Sequence, residues 1–299
     1  MKILITGGSG LVGRQLTKSL QAQNIEVTWL SRTKGVKDGI KSFLWDYKKG
    51  YIEEEAFDGV THIVHLAGAG VFDKRWTKSY KKEIFDSRIL TTKLLVEKAL
   101  KLNGLEAFIS GSAIGIYGNS MNSVPLTETA LYGNDYLAQV TKEWEAATVP
   151  LENSSIRLAI IRTGIVLSEH GGALPAMINP IKAYIGSPLA SGEQIISWIH
   201  IDDLCRIFSK AITDDAIKGT YNGVAPEPVT NKVLTQTAAA ILHKPLVMPN
   251  VPSFALNILL GKEKAASVVE GIAVSAEKIS ATGFTFTYPY IKKALSDLL

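Results

Sequence analysis

The sequence predicts an α/β protein: a doubly wound parallel sheet with a smaller, mostly helical C-terminal lobe. Three observations carry that prediction. Short apolar runs alternate with helical patterns through the first half of the 299-residue chain. Glycines at 7, 10 and 13 stand where the first apolar run gives way to the first helical pattern. Past Arg162 the alternation breaks up, punctuated by Gly171, Gly172, Pro175, Pro180, Gly186, Pro188 and Gly192. Strands separated by helices call for right-handed crossovers and a parallel sheet covered on both faces.

In chain order, Ile3 to Ile5 reads as a strand, Leu11 to Gln23 as a helix, and Glu26 to Leu30 and Thr61 to Leu66 as further strands. A long amphipathic helix is expected from about Ser79 to Leu102, then strands at Ala107 to Ser110 and Ile156 to Arg162. The broken segment from 164 to 200 is too long for an ordinary connection, and loops of that length usually serve a pocket. A helix capped by Asp202 should run to about Thr213, followed by a strand at Thr220 to Asn222 and a helix from Thr230 to Leu242. The tail reads as mostly helical, with a strand at Gly283 to Phe286.

Thr6-Gly7-Gly8-Ser9-Gly10-Leu11-Val12-Gly13 gives the sheet its chemistry. A strand enters this run and an amphipathic helix leaves it, the context that makes a glycine triplet a phosphate cradle. Gly7 permits the tight turn, Gly10 removes a side chain where a pyrophosphate must approach, and Gly13 allows close helix packing. The helix N-terminus offers free N–H groups and the positive end of its dipole. This is a Rossmann-type arrangement. The second strand ends in Ser31-Arg32, where an NAD site would carry an acid for the ribose 2′-hydroxyl. A hydroxyl and a guanidinium suit a 2′-phosphate, so the expected cofactor is NADP(H). Leu66-Ala67-Gly68 ends a later strand with small residues that let backbone approach the cofactor. On this basis residues 1–165 form the NADP(H)-binding domain, segments at about 195–225 return to it, and 166–299 build the substrate side and the C-terminal lobe.

Composition excludes several classes. The chain is 46% hydrophobic and 20% charged, with a net charge of +4, ordinary for a globular protein. No nucleic-acid-reading motif or long basic run is present. No apolar run approaches the roughly 20 residues that span a bilayer. Met1 to Thr6 turns into glycines too quickly for a signal peptide. The single cysteine, Cys205, precludes an intrachain disulfide and reads as a buried structural thiol in a cytoplasmic protein. The five histidines are scattered, so no metal site is expected. His65 reads as a packed core residue and His200 as mainly structural.

Taken together these motifs resemble the short-chain dehydrogenase/reductase superfamily, in its extended, sugar-nucleotide-epimerase-like branch. The closer likeness is to an atypical epimerase family of the YfcH type. It spans essentially the whole chain, adding Ser87-Arg88, Ser110-Gly111-Ser112-Ala113, Tyr117-Gly118, Trp144-Glu145-Ala146-Ala147, Arg162-Thr163-Gly164 and the run Ser197 to Leu204. The resemblance implies a Ser that bonds the reacting oxygen, a Tyr that serves as acid/base, and a Lys four residues later that lowers the tyrosine pKa and holds the nicotinamide ribose. Ser112 fits the serine position. The pair does not follow: Val140 stands four residues after Tyr136, and counting back from Glu145 puts Leu137 and Thr141 at the Tyr and Lys positions. Tyr136 and Ser112 remain the candidate catalytic residues, with Tyr117 the other nearby phenol.

The resemblance also turns the helix carrying Glu83 and Arg88 toward the cofactor, Arg88 for a phosphate and Glu83 for a ribose hydroxyl or a structural pair. Arg162 would reach the nicotinamide half. Two functions stay open: an NADP(H)-dependent, epimerase-like oxidoreductase of a small polar, perhaps sugar-derived substrate, and a non-catalytic NADP(H)-binding sensor or scaffold. Helices 79–102 and 134–147 resemble those of superfamily four-helix dimer interfaces, which implies a homodimer, although packing on the sheet explains them equally.

Overall fold

The computed structural model describes residues 1–118 and 124–299. Strand β1 (Lys2–Thr6) feeds helix α1 (Leu11–Gln21), followed by β2 (Glu26–Ser31), β3 (Gly35–Lys37), β4 (Ile40–Asp46), β5 (Tyr51–Ile52) and β6 (His62–His65). Helix α2 (Lys78–Ala99), capped by the Thr77 hydroxyl, returns the chain to β7 (Ala107–Ala113). Helix α3 (Tyr136–Ala146), capped by Asp135, leads to β8 (Arg157–Thr163) and β9 (Ile165–Leu167). Then come α4 (Ala173–Lys182), β10 (Ile195–Ile196), β11 (Trp198–His200), α5 (Ile201–Thr213), β12 (Gly219–Gly223), β13 (Val229–Thr230) and α6 (Asn231–Ile241). The chain ends with α7 (Ser253–Leu260), α8 (Lys262–Val269), α9 (Glu277–Ser280) and α10 (Ile291–Leu298).

The main sheet runs β12-β8-β7-β6-β1-β2-β4-β3, with β5 pairing β4. From β12 to β4 every pairing is parallel, while β3 and β5 pair with β4 antiparallel. The strand order reverses between β1 and β6, which opens a crevice at the carboxyl edge where dinucleotides bind in such sheets. Strands β6 and β7 are buried almost throughout because helices cover both faces. Successive side chains of β1 point to opposite faces. Ile3 and Ile5 pack with Leu16 and Leu20 of α1 and Phe208 of α5, whereas Leu4 packs with Leu95 and Val96 of α2. A third core joins α4, α6 and α10 through Leu174, Ile178, Leu234 and Leu295 in the C-terminal lobe.

Four local expectations are corrected. The segment 164–200, expected as a long loop, holds β9, α4, β10 and β11, with Pro180 inside α4. Residues 35–52 hold β3, β4 and β5, where the sequence pattern predicts no element. Ile40, Ser42, Phe43 and Trp45 of β4 are all buried, on both faces of the strand, so no regular alternation marks it, and the hairpin that sets it off turns at Asp38-Gly39, both at positive φ. Gly283 to Phe286 is not a strand; Phe284 and Phe286 meet edge-on at 4.9 Å, so the alternation reflects ring packing. Helix α5 starts one residue earlier than expected and is capped by His200, whose Nδ1 accepts the Asp202 N–H at 3.1 Å. Among the described residues no helix is long and apolar enough to cross a membrane.

Asp203, fully buried, ties the C-terminal tail to α5. It accepts the Thr287 N–H at 2.9 Å and the Tyr288 N–H at 2.8 Å, and pairs with Arg206 at 2.9 Å. Asp203→Ala strands two amide donors and is expected to cost about 2–4 kcal/mol in urea unfolding.

Candidate functional site

The glycine loop stands at the reversal point as bare backbone. Gly7 adopts φ +69°, and a Cβ there would lie 2.8 Å from the Leu66 carbonyl carbon, so only glycine fits. Gly8 has a different reason: a Cβ would strike the Trp29 ring at 2.4 Å. That ring is fixed by its Nε1–H to Thr17 Oγ1 at 2.9 Å, and Thr17 in turn donates to the Gly13 carbonyl. Ser9 and Gly10 are exposed, Leu11 and Val12 half-buried. Gly10 caps α1 with no side-chain bond, and the first turn carries no acid. An anion is what such an end lacks.

Thr6 joins this loop to the next strand. Its hydroxyl donates to His65 Nδ1 at 2.6 Å and accepts the Leu66 and Ala67 N–H groups, each at 3.2 Å. Thr92 gives its own proton to the Arg88 carbonyl, so it accepts from His65 Nε2–H at 2.9 Å. His65 is therefore neutral, and burial, aided by the Arg88 charge, pushes its pKa down to about 3. It is the core histidine expected, and it holds Leu66-Ala67-Gly68 against the cradle.

At the end of β2, Arg32 is exposed and Ser31 is half-buried. Lys37, from β3, places Nζ 3.2 Å from Ser31 Oγ. This third polar group went unnoticed in the sequence because it arrives on the unforeseen β3–β4 hairpin.

Ser112, at the carboxyl end of β7, donates its hydroxyl proton to Glu145 Oε1 at 2.6 Å. Glu145 also takes a two-pronged bond from Arg162 of β8, Nε to Oε1 and Nη2 to Oε2, both 2.8 Å. The side chains are 2% and 11% exposed for Arg162 and Glu145. Arg162 Nη1 donates to the Tyr117 hydroxyl at 2.9 Å and the Glu128 carbonyl at 3.0 Å. The Tyr117 hydroxyl in turn donates to Asn222 Oδ1 at 2.6 Å. Burial alone would lower the Arg162 pKa, but the bonds and charge of Glu145 outweigh it and hold the guanidinium charged. Arg162, expected at the nicotinamide half, thus directs four hydrogen bonds into the protein. Glu145 stands 33 residues from Ser112, so only its motif, not its partners, was visible.

Tyr136 opens α3 and points elsewhere. Its hydroxyl donates to the Lys81 carbonyl at 2.6 Å, its ring lies edge-on to Trp76 at 5.3 Å, and burial pushes its pKa up to about 12. No contact joins it to Ser112 among the described residues. Glu83 is exposed on α2. Arg88 Nη1 donates to the Ala69 carbonyl at 3.0 Å and the Ile84 carbonyl at 3.1 Å, and the guanidinium lies 5.3 Å from the Trp144 ring centroid. The C-terminal lobe reaches this edge through buried Lys264 of α8, whose Nζ donates to the Phe72 and Lys74 carbonyls, beside a Lys81–Glu263 ion pair.

A second cluster, His200 with Asp202 and Asp297, has the side chains of a cation site. Burial keeps His200 neutral, and its Nδ1 already accepts the Asp202 N–H. The ring proton therefore sits on Nε2, 3.2 Å from Asp297, which makes this a structural contact beneath the stacked Tyr288 ring.

Strand reversal with an uncapped glycine turn above it is the architecture of the Rossmann-type dinucleotide-binding proteins. Within that class the chain belongs to the NAD dependent epimerase/dehydratase family, whose profile matches residues 3–222; a domain of unknown function matches 251–298. It is 38% identical over 308 residues to the "Epimerase family protein SDR39U1 homolog, chloroplastic" of Arabidopsis thaliana, covering 100% of this chain and 87% of that one. The crystal structure of human epimerase family protein SDR39U1 with NADPH superposes with a TM-score of 0.90 at 31% identity, covering 100% of this chain and 99% of that one. The UDP-glucose 4-epimerase of Thermus thermophilus, complexed with NAD, shares the fold at 19% identity (TM-score 0.80, covering 100% and 98%).

Two outcomes follow for the site. Glu145→Ala leaves Arg162 buried without its counter-charge and is expected to cost about 3–5 kcal/mol, read from the urea midpoint. His65 has a native pKa below its unfolded value of 6.5, so its contribution is complete above that pH and is lost as pH falls toward 3. Stability should drop by an amount on the order of 3 kcal/mol between pH 7 and pH 4 from this group. The slope should flatten in His65→Asn.

Proposed function

We propose that this chain is an NADP(H)-binding, epimerase-like oxidoreductase of a small polar, sugar-derived substrate. The observation that carries the cofactor assignment is the polar corner of Ser31, Arg32 and Lys37 at the end of β2, with no acid in the place where NAD enzymes bind the 2′-hydroxyl. The NADPH bound to the human relative supports the same assignment. Thr6 to Gly13 would hold the pyrophosphate, Ser31 and Arg32 the 2′-phosphate, and the backbone of Leu66-Ala67-Gly68 a ribose. Bound NADP(H) would supply or accept the hydride.

Ser112 would orient the substrate oxygen. Because its own proton goes to Glu145, it presents lone pairs and so favours a substrate hydroxyl over a carbonyl. Arg162 acts through Glu145, fixing the direction of that hydroxyl. The reaction proton is assigned to water, since Tyr136 is bonded to the Lys81 carbonyl and its pKa is far from neutrality. A cytoplasmic setting completes this reading and rests on the single, buried thiol. The second function, a non-catalytic NADP(H) sensor or scaffold, is favoured by the same tyrosine and by Thr141 in the lysine register.

Calorimetric titration with NADPH and NADH tests the assignment. Arg32→Ala should weaken NADPH about tenfold or more and leave NADH unchanged, the loss of one charge-assisted phosphate contact. Equal affinity of the native protein for both cofactors sinks the NADP(H) reading. Oxidation of NADPH with a panel of keto-sugars, or its formation from the alcohols, then decides between enzyme and sensor.

A further inference from the structure

The usual lysine of this superfamily would project from α3 at Thr141, but that hydroxyl is turned back onto the Leu137 carbonyl at 2.8 Å. A cation nevertheless arrives at this place from the neighbouring helix. Arg88 of α2 sets its guanidinium over Trp144, one turn beyond Thr141 on α3, and against the cradle-side loop, where a Cβ on Gly68 would lie 3.0 Å from the guanidinium carbon. Both of its hydrogen bonds run from Nη1. Nε and Nη2 have no hydrogen-bond partner, and no carboxylate pairs with Arg88, among the described residues. Arg88 is half-buried, so these donors stay open to a ligand.

We infer that Arg88 replaces the missing lysine, binding the nicotinamide-side ribose and phosphate of NADP(H) through Nε and Nη2. The inference rests on the NADP(H) reading above and narrows it. It makes Arg88 a positioning residue for the nicotinamide half. Burial lowers its pKa to about 10, which leaves it charged at neutral pH, so it holds the cofactor but exchanges no proton. That separates it from a lysine, which can also tune an adjacent tyrosine.

The test compares NADPH with adenosine 2′,5′-bisphosphate, which carries the adenine half and the 2′-phosphate but no nicotinamide half. Calorimetry is run on the native protein, Arg88→Gln and Arg88→Lys, with thermal melting of each. The expected result is that both variants bind the bisphosphate within about twofold of the native protein while NADPH weakens about tenfold or more in Arg88→Gln. Unchanged NADPH affinity in Arg88→Gln overturns the inference, as does a parallel loss of both ligands in a variant that still melts cooperatively. Should Arg88→Gln fail to fold, Arg88→Lys decides by the same comparison, weaker NADPH with the bisphosphate retained being the supporting result. A native protein that binds the bisphosphate but not NADPH also overturns it, whereas failure to bind either ligand removes the NADP(H) reading itself.

Discussion

The pairing of Arg162 with Glu145 is the interaction on which the carboxyl edge of β7 and β8 depends. A buried ion pair is costly to desolvate and repays that cost only with good geometry and further hydrogen bonds. Here both conditions are met: two parallel contacts at 2.8 Å, with Tyr117 and Glu128 taking the two Nη1 donors. The consequence is connectivity. The pair joins β8 to α3, and Tyr117 carries the link to Asn222 of β12, which donates to the Leu126 and Ser275 carbonyls. Sheet edge, helix and C-terminal segment are thereby referenced to one charge.

The two ends of the crevice are built on different principles. The cradle consists of backbone, shaped by what glycines leave out and held from below by Trp29, Thr17 and Thr6. Around Ser112 the edge consists of side chains whose protons are already allotted, Ser112 to Glu145 and Arg162 to Glu145, Tyr117 and Glu128. Preorganised groups of this kind orient a ligand without reorganising. A hydroxyl committed in this way keeps only its lone pairs for a further partner.

The nucleotide half of the fold was legible in sequence because its signals are local. The cradle needs a strand, three glycines and a helix within a dozen residues, and Ser31-Arg32 sits at a fixed place after the next strand. The family likeness was legible for a related reason: its motifs occur in order along the whole chain. What escaped depends on distance or on weak pattern. Glu145 meets Ser112 across 33 residues and Arg162 across 17, separations at which nothing in the spacing announces a contact. Lys37 rides on a hairpin of a three-residue strand and a strand buried on both faces, neither of which shows alternation. Asp202 resembles a helix cap by residue type, yet His200 performs that task because β11 delivers its ring to the helix start.

Cys205 lies buried on α5, its thiol 3.8 Å from the Val12 carbonyl at the head of α1, and burial pushes its pKa well above the ordinary thiol value. Thiolate, not thiol, is the species that oxidants and alkylating agents attack. The only sulfhydryl in the chain is thus withheld from peroxide and from disulfide exchange, even though it packs behind the first turn of the phosphate-facing helix. The chemistry available at this helix start is therefore that of its free backbone N–H groups and not of a sulfur nucleophile.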